Sequence, residues 1–96
     1  MKNEKSKNSV SNSNSGRIVV VVDRGWIFAG DATRKNGRIL LNRAVNVVSW
    51  RSIGFDGMIE NPLRNSVTLK VLNNPVDIPE TSEIFSIPVE KNWGLE

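Results

Sequence analysis

Two aliphatic stretches, the β-branched run Ile18–Val22 and the longer Ile39–Val48, flank an Asn36-Gly37 dipeptide. Asn-Gly is the strongest short signal for a tight β-hairpin, because both central residues of a type I′ turn need positive φ. A β-branched run without alternation reads as a strand covered on both faces. Arg17 to Trp50 therefore reads as the organising part of an antiparallel sheet. Asp23-Arg24-Gly25 turns the chain into a second strand, Trp26–Gly30. A polar loop, Ala32–Gly37, then sets Arg38–Leu41 against that strand. Asn42-Arg43 interrupts the third strand and is expected to form a bulge that lets it turn a barrel corner.

Downstream, Phe55, Met58 and Ile59 have the i, i+3, i+4 spacing of one helical turn, which Pro62 stops. That turn is expected to plug one end of the sheet. Val67, Leu69 and Val71 alternate with polar residues as the inward row of a strand. Asn73-Asn74-Pro75 turns the chain into a short edge strand, Val76–Pro79. Phe85, Ile87 and Val89 read as the inward row of the last strand, which Pro88 places at an edge. The fold class expected is all-β, a small antiparallel barrel or sandwich-like domain of about five to seven strands with one short helical turn. It occupies residues 17–90. Residues 91–96 read as a tail whose Trp93 packs on a neighbour or covers an apolar patch.

The chain has 96 residues, 39% of them hydrophobic, and no cysteine. A domain this small buries only about 60% of its unfolded surface. With no disulfide or thiolate metal site to help, self-association is the expected stabiliser. Beyond Arg43 both faces of the third strand carry apolar residues. The sheet must either close into a barrel or hide its outer face against copies of itself.

The net charge of +3 is unevenly placed. Residues 1–16 hold three lysines against one glutamate, and residues 17–96 hold ten Lys/Arg against nine Asp/Glu. The folded part is therefore near neutral and lacks the basic run of a nucleic-acid binder. The polar first sixteen residues should be disordered in isolation; the alternative is an assembly arm carrying Lys2, Lys5 and Lys7. No secretory signal or membrane-spanning run is present in the sequence given, so no membrane partner is expected.

The side-chain inventory argues against catalysis. With no His, Cys or Tyr, the usual general base, the thiol nucleophile and zinc sites built on imidazole or thiolate are absent. Isolated acids such as Asp23 and Asp31 are far more often turn formers than a working pair. Neither a metal nor a cofactor is expected. The candidate binding residues are Trp26 with Arg24, and Trp50 with Arg51. An indole beside a guanidinium can stack a base while the arginine holds phosphate. The commoner fate of both indoles is burial.

At Arg24-Gly25-Trp26-Ile27-Phe28-Ala29-Gly30-Asp31 the chain resembles a family of short uncharacterised phage and prophage proteins, with the pattern R-G-W-I/V-F-x-G. Leu41-Asn42-Arg43-Ala44-Val45-Asn46-Val47-Val48-Ser49-Trp50 is similar to the family's L-x-N-A-x-V-x-x-x-W, with Arg43 inserted. Val76-Asp77-Ile78-Pro79 is similar to its V-x-I/V-P strand. The resemblance covers residues 17 to about 89 and implies a phage or mobile-element accessory protein with no enzymatic activity. The expected function is a homo-oligomeric binding or assembly module, either a virion subunit or a protein that captures a host factor or small nucleotide. It would act in the host cytoplasm or the virion. The partners expected are copies of itself, a host or virion protein, or a small nucleotide. The alternative is a nucleic-acid-binding small β-barrel.

Overall fold

The computed structural model describes residues 16–50 and 53–95. The basic tail with Lys2, Lys5 and Lys7 and the candidate Arg51 lie outside the described residues. Among the described residues, six strands form one antiparallel sheet: β1 (Arg17–Val22), β2 (Ile27–Lys35), β3 (Arg38–Trp50), β4 (Val67–Val71), β5 (Val76–Pro79) and β6 (Glu83–Pro88). The sheet order is β4-β3-β2-β1-β6, and β5 pairs with the first part of β3. The expected mostly-β fold with one short helix is what forms.

Asn36 (φ 54°) and Gly37 (φ 77°) make the tight turn the dipeptide predicts. Its consequence for register differs from the expectation. A two-residue turn pairs the residues directly beside it, Lys35 with Arg38. The polar Ala32–Lys35 stretch, expected as loop, is therefore strand, and it lies opposite Arg38–Leu41. Phe28 and Ala29 face Asn46 and Val45 instead.

Between these paired stretches Gly30 alone on β2 faces Arg43 and Ala44 on β3. This is the bulge expected at Asn42-Arg43, with Arg43 in the left-handed region (φ 51°). Gly30 is required there, since a Cβ would come to 2.7 Å from the Leu41 Cβ and 3.1 Å from the Asn42 carbonyl oxygen. The bend turns the β2–β3 arm back over the sheet. The Gly37 carbonyl accepts a 2.9 Å bond from the Glu80 N–H, and Arg34 reaches Glu83, whose register partner is Val22 at the far end of β1.

Successive β1 residues point to opposite faces, yet Val19 and Val20 are both fully buried. One face, with Val20, Val22, Ala32, Ile39, Leu41, Ala44 and Ile78, is the interior closed by the folded arm. The other, with Val19, Ile27, Ala29, Val45 and Val47, is covered by α1 (Gly54–Glu60) through Met58 and by Trp93. Of the two outcomes expected, barrel closure or an outer face hidden against copies, the chain closes one face and covers the other itself. The helical stripe Phe55/Met58/Ile59 and one indole cover it from within the chain. Trp93 is 3% exposed, so residues 91–95 pack as part of the domain. Two inward rows are looser than expected, because β4 and β6 each pair on one side only: Val71 and Phe85 are exposed.

Gly30→Ala is expected to destabilise the fold by about 1–3 kcal/mol through overpacking. In thermal unfolding each kcal/mol lowers Tm by roughly 4–8 °C for a domain of this size. An unchanged Tm would mean that the arm does not press on Gly30.

Candidate functional site

Arg17 opens the β-branched run, and its side chain is sealed from solvent (0% exposed). A buried guanidinium must be compensated on several sides. Its Nε donates to the Trp93 carbonyl (2.7 Å), one terminal nitrogen to Asp31 (3.1 Å) and the other to the Arg43 carbonyl (3.0 Å). Asp31 is Arg17's register partner on β2. Arg43 returns two bonds to Asp31 (2.6 and 3.1 Å) and donates to the Lys91 carbonyl (2.6 Å) and to Asn92 Oδ1 (3.2 Å). Hydrogen bonding from Arg43 holds the Asp31 carboxyl below its ordinary 3.8 against an opposing effect of burial, and Arg17 adds to the lowering. This cluster is structural: it joins the bulge to the chain's last residues. The indole of Trp93 donates to the Ile59 carbonyl (2.7 Å), so α1 is tied into the same corner.

A second ion cluster closes the opposite end. Arg34 forks onto Glu83 at 2.8 and 2.9 Å and touches Glu80 at 3.3 Å. The Arg34 hydrogen bonds lower the Glu83 carboxyl from its ordinary 4.5, against burial. Arg38 bonds Asp77 at 3.0 Å across β3 and β5. Four of the described arginines are thus engaged within the chain.

The two candidate indoles do not share a site. Trp50 is half-buried, lies edge-on to Phe55 (6.1 Å), and packs with the Met58 cluster. Phe55 in turn meets Phe85 edge-on at 5.9 Å. Trp26 is 54% exposed, against its expected burial, and its ring is parallel to that of Phe28 at 6.0 Å. Phe28 belongs to the other hydrophobic cluster. The cause is the strand end: Trp26 follows the exposed Asp23-Arg24-Gly25 turn, where Arg24 is left-handed (φ 63°) and the sheet offers no cover.

Two concavities matter. A groove of about 340 Å³ between Trp26/Phe28 and β5 is walled by Val22, Asp23, Asp77 and Pro79 among others. A groove of about 530 Å³ runs along the unpaired side of β4, against Leu63, Arg64, Val67, Leu69 and Val71. Among the described residues no three His, Cys, Asp or Glu side chains group to hold a metal ion, and no helix is long and apolar enough to cross a membrane.

The chain is similar to an archaeal Sm protein whose crystal structure is heptameric, with a TM-score of 0.54 and 14% identity over 80% of this chain and 90% of that one. It shares the Sm fold. At that identity the likeness concerns the fold alone. No protein-family model and no curated protein matches the sequence. The bend of the β2–β3 arm and the edge position of β6 agree with the sequence reading, whereas the one-sided pairing of β4 among the described residues was not foreseen, because edge pairing depends on tertiary order.

Replacing Arg17 by Met is expected to lower stability by about 3 kcal/mol, because the carboxylate and two carbonyls lose their donor. Asp31 and Glu83 titrate lower in the folded state than their ordinary values of 3.8 and 4.5. Their contribution is therefore complete above those values and is lost as pH falls through the folded ones. Denaturant midpoints should stay flat from about pH 7 to 5 and drop below about pH 4, with a shallower drop in Asp31→Asn. A midpoint rising with acid would contradict the assignment.

Proposed function

We propose that this chain is a non-enzymatic subunit of a homo-oligomer, joined edge to edge, that serves as a binding or assembly module. The observation that carries the reading is that, among the described residues, the strands at the two ends of the sheet order, β4 and β6, each pair on one side only. Unpaired edges with apolar side chains are templates for a further strand. Val71 on β4 (60% exposed) and Ile84 on β6 (61% exposed) are the largest apolar exposures on those strands. The groove beside β4 mixes apolar Leu63, Val67, Leu69 and Val71 with Arg64 and Asn65. Because the two edges differ, pairing β4 of one copy with β6 of the next is head-to-tail, and it closes when the rotation per copy divides a full turn. The heptameric Sm protein of the same fold supports this reading. The placement as a phage or mobile-element accessory protein, with a host or virion partner, rests on the motif resemblance at residues 24–31 and 41–50.

A second reading, nucleic-acid binding, is supported by the fold neighbour, whose structure is presented as bearing on the eukaryotic snRNP core. Against it, Arg17, Arg34, Arg38 and Arg43 are all spent in ion pairs. Anisotropy of a labelled single-stranded RNA at rising salt separates the readings. Phosphate contacts give a steep linear fall in log affinity, whereas the assembly reading predicts no salt-sensitive complex.

Light scattering is expected to give a multiple of the 10.7 kDa chain mass. Val71→Lys and Ile84→Lys should each shift the population toward monomer with an unchanged circular-dichroism spectrum. A wild type that remains monomeric at high concentration overturns the proposal.

A further inference from the structure

The edges account for self-association and leave the Trp26 groove unassigned. Its floor is aromatic and apolar, and its charged wall residues are Asp23 and Asp77, with no lysine or arginine among them. Arg38 already lies on Asp77, Nε to Oδ1 at 3.0 Å, in an exposed pair. Asp23 has no ion-pair partner among the described residues. Arg24, next in the chain, does not line the groove. A phosphate entering here would meet two carboxylates, which turns the site away from the nucleotide that Trp26 and Arg24 suggest in sequence. A cation meets the opposite field: an indole more than half exposed, whose π-face attracts positive charge, beside a carboxylate that no described cation pairs with.

We propose that this groove binds an arginine or lysine side chain presented by an extended segment of a partner protein. The guanidinium or ammonium lies over Trp26 and pairs with Asp23, and the aliphatic stem packs along Phe28 and Pro79. Arginine is favoured over lysine because its planar head stacks on an indole and is more weakly hydrated. The groove involves neither β4 nor β6, so the inference stands apart from the edge-pairing proposal.

The test uses the full chain and a capped peptide, acetyl-Gly-Ser-Arg-Ser-Gly-amide, with its citrulline counterpart, which keeps the shape and removes the charge. Binding is read from the Trp26 indole N–H resonance. The arginine peptide should shift that resonance, and citrulline should weaken binding about fivefold or more, the cation–π and charge contribution together. Trp26→Leu, followed through backbone resonances of β5, and Asp23→Asn should each weaken binding about three- to tenfold at unchanged Tm. Equal binding of the two peptides overturns the proposal, as does indifference to both substitutions. A single-stranded RNA that shifts the Trp26 resonance at lower concentration than the peptide overturns it in favour of nucleic acid. If Lys2, Lys5 and Lys7 changed to Gln move that resonance with no peptide present, the occupant is the chain's own tail, and the partner assignment falls.

Discussion

A single buried guanidinium sets the terms for this barrel. Arg17 sits where β1 begins, where the β2–β3 bulge bends and where the C-terminal residues return, and its acceptors are Asp31 on β2, the Arg43 carbonyl in the bulge and the Trp93 carbonyl. An unpaired charge there would be prohibitive, so the three segments are held together by the need to satisfy it. Asp31 lets Arg43 join the set, and Arg43 carries the tie outward to Lys91 and Asn92. The same corner holds backbone bonds from Val89 to Arg17 and from Ala32 to Gly16. Bend and cap are thus one construction. The bulge places the Arg43 carbonyl and Asp31 around Arg17, and Arg17 holds the backbone that brings Trp93 over the second face.

That construction changes the physical basis for self-association. A sheet apolar on both faces in a short chain looks incomplete, and copies of itself are an obvious cover. Here α1 and Trp93 supply the cover. Among the described residues, backbone hydrogen-bonding capacity stays open on β4 and β6, the two ends of the sheet order, together with the side chains of Val71 and Ile84. Pairing at an edge differs from burying a face: main-chain bonds give the interface its register, and apolar contacts beside it add to its strength. Assembly of this kind leaves the Trp26 groove in every copy, so a weak site would be repeated around an oligomer and gain by multivalency.

Much of the frame was legible from residues whose local chemistry has one outcome. Asn36-Gly37 predicts its turn, and the polar break at Asn42-Arg43 predicts its bulge. The Phe55/Met58/Ile59 stripe predicts one helical turn at an end of the sheet, and the seven-residue α1 that forms lies instead over a face. The features that escaped depend on who meets whom in space. Arg17 looks like a polar residue ahead of a strand until Asp31 is known to be its register partner. Trp93 looks stranded near the chain's end until Arg17 is seen to hold its carbonyl. Trp26 and Trp50 look equivalent in sequence, each beside an arginine. The sheet covers one and leaves the other at an uncovered strand end. Ala32–Lys35 reads as loop because its residues are polar, and it is strand because the turn beyond it admits only two residues.

The chain covers the second face of its sheet with α1 and Trp93, and the self-association proposed above runs through strand edges and not through that face. Amide and indole hydrogen exchange measured across a dilution series tests it most directly. The outward-pointing amides of β4 and β6 should lose protection as the protein is diluted, while the Trp93 indole N–H, bonded to the Ile59 carbonyl, stays protected throughout. A Trp93 indole that opens in step with dilution would show that copies cover that face, and would contradict the account.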